Sequence, residues 1–129
     1  MPLGSRVLCF RVGQRRWALP LEVVREVVES PTLLPVPGAR SQVRGVFLRS
    51  GVLVPVYDLV PAEAAAFVLV VDWADLHNGL RVAEPDALTA LAEEAADLPP
   101  PCSGRVQVRG GSAERVSLPA LYRMLAIPA

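Results

Sequence analysis

Hydrophobic residues fall in short runs along the chain, and most of these runs are rich in valine and end at glycine, proline or asparagine. Branched side chains pack well on a pleated sheet, while glycine and proline favour turns, so this pattern predicts many short strands. Because the strands form hairpins in two stretches, each with a short helix, two small barrel-like halves are expected. The predicted strands cover residues 6–12, 16–19, 43–49, 52–57, 67–73, 80–82, 102–109 and 114–117.

The central stretch, residues 34–59, has the clearest pattern. Two apolar runs are separated by Ser50 and Gly51, and glycine takes the positive φ that tight hairpin turns require. A hairpin is therefore predicted. Pro55 lies inside its second run and has no N–H to donate, which predicts a sheet edge or a bulge there.

Helices are predicted in fewer places. Apolar residues at helical spacing follow Pro20 over residues 21–29, although the β-branched valines leave a strand open for the second half. Ser117 is placed to cap a last helix over 118–125. Residues 86–96 fit a helix and a strand equally well. His77, Asn78 and Gly79 predict a reversal, because Asn-Gly favours a type I′ turn.

Composition and charge narrow the function. The 129 residues are enough for one domain with a buried core. Thirteen arginines balance thirteen acids, and a net charge of zero argues against nucleic acid or a membrane surface as the main partner. The longest apolar run, residues 64–71, is too short to span a bilayer, and the N-terminus lacks a signal-peptide pattern. A cytoplasmic protein is expected.

Catalytic and metal-binding patterns are missing from the sequence. The single histidine, His77, has no neighbouring ligand at zinc spacing, and Gly110-Gly111 lacks the lysine of a phosphate loop. Cys9 and Cys102 are far apart and are interpreted as small buried hydrophobic residues, although a thiol-dependent hydrolase is a minor alternative. We expect no enzyme activity, no cofactor, no metal and no small-molecule substrate.

One ordered set of motifs resembles a known family. It consists of V-x-E-V (Val24, Glu26, Val27), a Pro-x-Pro turn at residues 35–37, Gly45-Val46, and V-P-V-x-D-L over residues 54–59. This order resembles the CheW-like adaptor domain of bacterial chemotaxis systems. The resemblance implies a mostly β fold, one domain over 1–129, built from two small five-stranded SH3-like barrels with short helices. The approximate halves are 1–63 and 64–129, with strand exchange between them possible.

The resemblance also implies a function. CheW-like proteins are non-enzymatic adaptors that bind the regulatory domain of a CheA-type histidine kinase and the cytoplasmic tip of chemoreceptors. Receptor state thereby biases kinase activity. The alternative is a diverged CheW-like module that has a different partner and no longer binds receptors.

Residue by residue, the resemblance implies partner-binding positions. They are Val24, Glu26, Val27, Gly45, Arg49, Ser50, Gly51 and Asp58. The family arginine before the hairpin glycine falls on Ser50, and Arg49 lies one position early, which puts it on the opposite face of a regular strand unless a β-bulge turns it. The link over 60–66 and the second half are shorter than in the family, so reduced or altered kinase contact is expected.

Overall fold

The structure is a computed structural model, and it describes residues 3–38, 43–59, 66–73 and 76–125. These ranges contain mostly strand, with one 3₁₀ turn (Leu21–Val23) and one α-helix. The mostly β prediction is confirmed. The elements are β1 (Arg6–Val12), β2 (Arg15–Pro20), β3 (Val24–Glu29), β4 (Val43–Arg49), β5 (Val52–Asp58), β6 (Phe67–Trp73), β7 (Leu76–Thr89), β8 (Ala92–Glu94), β9 (Cys102–Val108), β10 (Gly111–Val116) and α1 (Leu118–Met124).

Two sheets share the long strand β7. The first sheet has the order β3–β6–β7–β5–β4, with β5 parallel to β7 and the other neighbours antiparallel. The second has the order β7–β1–β2–β10–β9–β8, with β10 parallel to β2. Residues 76–82 of β7 pair with β6, and residues 83–89 pair with β1. The N-terminal strands β1 and β2 therefore belong with the C-terminal strands.

A bend in β7 marks the passage between the sheets. Glu84 has a φ of 51°, in the left-handed region, and Pro85 follows it. The pairing register of β1 with β7 shifts at the same place, between Cys9 and Arg11. Such a bulge turns a strand sharply, so one strand serves two differently oriented sheets.

The hydrophobic core has three parts, because both faces of several strands are covered. One cluster is formed by side chains of the first sheet, and another is formed mainly by side chains of the second sheet. The largest cluster lies between the sheets and includes side chains from α1. Strand β6 contributes Val68 and Val70 to the first-sheet cluster and Leu69 and Val71 to the cluster between the sheets. Alternation of side chains explains why its sequence is continuously apolar.

The structure decides three expectations about local elements. Over 21–29 the first half forms only a 3₁₀ turn, and the strand that was left open for the second half is confirmed, because its valines pair with β6 and favour strand geometry. The reversal predicted at 77–79 is wrong, since these residues pair with β6 inside β7, and Asn78 is buried. Residues 86–96, left open between helix and strand, form the end of β7 and then β8.

Other expectations are confirmed. Ser50 and Gly51 form the hairpin turn with φ of 50° and 80°. Pro55 pairs across to Val46, and the pairing of β5 with β7 begins only at the next residue, so one side of Pro55 is a local edge. The Ser117 hydroxyl accepts a hydrogen bond from the backbone N–H of Ala120.

The division into halves 1–63 and 64–129 stays a prediction, because its boundary lies outside the described residues. The edges of the first sheet, β3 and β4, do not pair with each other in the part of the chain that the structure describes. The number of strands in this sheet, five, is the number expected for a small barrel. The barrel is left open along one seam.

Gly79 should be sensitive to substitution. A Cβ at this position would lie 2.8 Å from Val68 Cγ1 and 3.0 Å from Val56 Cγ2, closer than van der Waals contact allows. We expect Gly79→Ala to lower the free energy of unfolding by about 1 to 3 kcal/mol. In a Val68→Ala background, Gly79→Ala should lower the free energy of unfolding by much less, because Val68→Ala removes the Cγ1 methyl group that the new Cβ would meet. Equal costs in both backgrounds, measured by urea denaturation, would contradict this packing.

Candidate functional site

The seam between β3 and β4 forms a groove of about 480 Å³. The segment after β3 crosses part of it, and Leu34 makes a two-hydrogen-bond bridge with Val46 on β4 (N···O distances of 2.7 and 2.9 Å). Pro31 and Thr32 of this segment line the groove. Because the two strands stay unpaired along the rest of the seam, their edges and nearby side chains are open to a partner.

The groove is mainly apolar. Val28 and Phe47 line it and also pack against the first-sheet cluster, so they are held by the core. Leu34 and Leu48 line it as well, and they are 52% and 64% exposed. Exposed leucines next to a fixed apolar floor are typical of a protein-binding surface.

A salt bridge joins the two walls. Arg49 Nε, at the end of β4, donates to Glu26 Oε2 on β3. Both side chains are partly exposed, so we assign the pair little weight in stability. The salt bridge instead holds two charged side chains in place at the border of the apolar groove.

The hairpin register explains where Arg49 points. Pairing is regular from Gly45 to Arg49, and the bulge lies earlier, between Val43 and Gly45. Arg49 therefore shares the face of Phe47, which is turned towards the core and the groove. Ser50, where the family arginine falls, lies in the turn and is exposed.

The remaining predicted site residues lie around the groove rather than in it. Val24 packs against the cluster between the sheets, and Val27 is 41% exposed on the face of β3 opposite Glu26 and Val28. Gly51 completes the hairpin turn.

Gly45 and Asp58, two further predicted residues, have structural roles in the first sheet. A Cβ on Gly45 would lie 2.6 Å from the Leu34 carbonyl oxygen, so glycine permits the bridge. Asp58 accepts hydrogen bonds from Arg44 Nε at 2.8 Å and from Arg81 at 3.2 Å, which ties β4, β5 and β7 together.

Sequence reasoning placed Glu26 and Arg49 in the site and missed its apolar lining. The apolar lining residues that the sequence did not predict are Val28, Leu34, Phe47 and Leu48. For Leu48 a signal was present, because it lies directly before the predicted site residue Arg49.

The cysteine thiols lie away from the groove and are buried, which confirms their interpretation as small hydrophobic residues. Cys9 belongs to the second-sheet cluster and Cys102 to the cluster between the sheets. Burial raises the pKa of Cys9, and it raises the pKa of Cys102 to about 11. A thiol that stays protonated is a poor nucleophile, so neither residue favours a hydrolase. Among the described residues, no three His, Cys, Asp or Glu side chains are grouped to hold a metal ion.

Comparison with known proteins identifies the family. The model of the CheW-like domain matches residues 6–110 of this chain. The chain belongs to the CheW-like domain family. Over 83 residues it is 35% identical to Protein PilI of Pseudomonas aeruginosa, and this match covers 58% of the chain and 47% of PilI. The chain thus spans about half the length of this curated relative.

A solved structure supports the same fold. The scaffolding protein TtCheW from Thermoanaerobacter tengcongensis aligns with a TM-score of 0.75, covering 95% of this chain and 90% of TtCheW at 19% identity. The expected SH3-like, CheW-like fold is thereby confirmed, with its first sheet left unclosed. The solved structure is named a scaffolding protein, and its alignment shows that this chain shares the fold of TtCheW. In the described ranges, no helix has the length and apolar character needed to cross a bilayer.

Gly45→Ala should disturb the bridge beside the groove. The added methyl group would collide with the Leu34 carbonyl oxygen, a backbone atom that cannot move alone. We expect a loss of about 1 to 3 kcal/mol in the free energy of unfolding. Hydrogen exchange at the amides of Leu34 and Val46 should accelerate more than at the amides of β1. Unchanged protection at both amides would contradict this role of Gly45.

The thiols should be unreactive in the native protein. Because burial keeps both cysteines protonated and covered, we expect Ellman's reagent at pH 8 to react at least about a hundredfold more slowly than in guanidinium chloride. Single Cys9→Ala and Cys102→Ala variants identify which thiol reacts. Rapid labelling of either cysteine in the folded protein would contradict the buried placement.

Proposed function

We propose that this CheW-like domain couples chemoreceptors to a CheA-type histidine kinase by binding the kinase regulatory domain along the groove. The observation that carries the proposal is the open seam between β3 and β4, where Leu34 and Leu48 are exposed beside the Glu26–Arg49 pair. This surface lies in the half of the chain that carries the motifs of the family.

The physical basis is desolvation of a small apolar surface with a polar border. Burying Leu34 and Leu48 under a partner removes apolar area from water, and Val28 and Phe47 already provide a rigid floor. The Glu26–Arg49 pair would orient the partner, since charged groups at the border of an interface contribute mainly to specificity.

Contact with the cytoplasmic tip of a chemoreceptor is the second part of the proposal. It is supported by membership of the CheW-like family and by the β4–β5 hairpin, which turns at Gly51. The alternative, a diverged module with a different partner, is favoured by one observation. Ser50 replaces the family arginine, and the neighbouring Arg49 is already engaged with Glu26.

Calorimetric titration with the regulatory domain of a CheA-type kinase from the same organism tests the kinase part. At near-physiological salt we expect saturable one-to-one binding. Absence of binding by the folded protein would make the diverged module the better account. Co-sedimentation with receptor signalling fragments, with and without the kinase, then tests the receptor part.

Leu48→Asp locates the binding surface. Because Leu48 is exposed, the substitution should leave folding intact and place a charge that the partner must desolvate. We expect kinase affinity to fall at least about tenfold, or ~1.4 kcal/mol. Leu3→Asp is the matched control, since Leu3 is 66% exposed and does not line the groove. Equal affinities of the two variants would place the kinase contact elsewhere.

A further inference from the structure

A second cleft lies on the other sheet, where the hairpin turns β1–β2 and β9–β10 are neighbours. The parallel strands β2 and β10 pair only at Trp17 with Glu114 and Ala18 with Arg115. Towards their N-terminal ends they separate, leaving a cleft of about 420 Å³ that reaches the Gly110-Gly111 turn.

The cleft concentrates positive charge in a chain whose net charge is zero. Its charged lining consists of four arginines and one glutamate, namely Arg11, Arg15, Arg16, Arg105 and Glu114. Arg11 and Arg16 are direct cross-strand partners, so they share one face, and like charges in this position oppose each other. The carboxylate of Glu84, which lies beside Arg11, offsets part of this repulsion.

Two of these arginines already hold carboxylates of the same chain. Arg15 donates to Glu114, with an Nε–Oε2 distance of 2.8 Å, and lies 5.9 Å from the centre of the Trp17 ring. Arg11 Nε lies 2.7 Å from Glu84 Oε2. The cleft is therefore built with a geometry that accepts carboxylates, which match the planar fork of a guanidinium group.

The other two arginines are available. Neither Arg16 nor Arg105 forms a hydrogen bond or salt bridge with a residue that the structure describes. Arg105 faces Glu114 across the β9–β10 pair, whereas Arg16 shares the face of Arg11, so the two arginines reach the cleft from opposite faces of the sheet, where β2 and β10 separate. Their positive charge is only partly balanced by Glu114, which Arg15 already engages.

We propose that this arginine cleft binds an acidic peptide segment of a partner protein, with Arg16 and Arg105 receiving its Asp or Glu carboxylates. The cleft lies on the second sheet, apart from the groove between β3 and β4. The proposal therefore does not rest on kinase or receptor binding at that groove.

The surroundings favour a short carboxylate segment over a nucleic acid. Glu84 and Asp86 border Arg11 and Arg16 on the side of β7. A continuous phosphate backbone passing over the cleft would meet these acids, whereas a peptide can place uncharged residues there. The zero net charge also provides no long-range attraction for a polyphosphate.

Fluorescence anisotropy with the whole chain tests the proposal. The probe is a fluorescein-labelled hexaglutamate peptide, and a labelled hexaglutamine peptide is its uncharged control. We expect saturable binding of hexaglutamate at 150 mM salt, and at least about tenfold weaker binding of hexaglutamine. The double variant Arg16→Gln/Arg105→Gln should weaken hexaglutamate binding at least about tenfold. Arg123→Gln, at an exposed position of α1, is the control for loss of charge and should bind with less than about a twofold change.

Three results would overturn the proposal. One is equal binding of the two peptides, and another is an equal loss of affinity in the Arg123→Gln control. The third is tighter binding of a single-stranded oligonucleotide of the same charge that depends on Arg16 and Arg105, which would make the cleft a phosphate site. Circular dichroism verifies that each variant is folded. The single variant Arg105→Gln, at an exposed position, repeats the test if the double variant is unstable.

Discussion

The structure depends on one hydrophobic layer shared by two sheets. Each sheet has its own small cluster on one face, and the largest cluster combines side chains from both sheets. A 129-residue chain divided into two separate barrels would have little core in each, because small units bury a small fraction of their surface. Strands β1, β6 and β7 avoid this limit because each contributes side chains from both of its faces to the core. The bend at Glu84 allows β7 to pair in both sheets.

The open seam of the first sheet follows from this arrangement. Its interior holds mainly valines and Phe47, while much of the chain's large apolar surface is used between the sheets. In the described structure the edges β3 and β4 form no ladder with each other, and the Glu26–Arg49 salt bridge and the Leu34–Val46 bridge cross the seam. The Leu34–Val46 bridge requires that residue 45 has no side chain. Unpaired edges are a hazard for aggregation in most proteins, but in a scaffold they provide a place for a partner.

The two proposed binding regions differ in chemistry as well as in place. The groove of the first sheet is apolar with one ion pair, whereas the cleft of the second sheet is lined by arginines. A scaffold that holds two partners gains from such a difference, because a surface suited to one partner rejects the other. The zero net charge of the chain conceals this separation, since the acids that balance the cleft are distributed elsewhere.

The sequence by itself determined the family, the central hairpin, most strand positions and the burial of the cysteines, because local turn chemistry and short apolar runs carry that information. Tertiary structure decided the rest. Asn78-Gly79 has a strong local turn preference, but pairing with β6 and close packing against Val68 place it inside a strand. Glu26 and Arg49 were identified by motif. Their contact, the apolar groove and the arginine cleft depend on which distant strands are neighbours, and sheet order is set by packing between residues far apart in the chain.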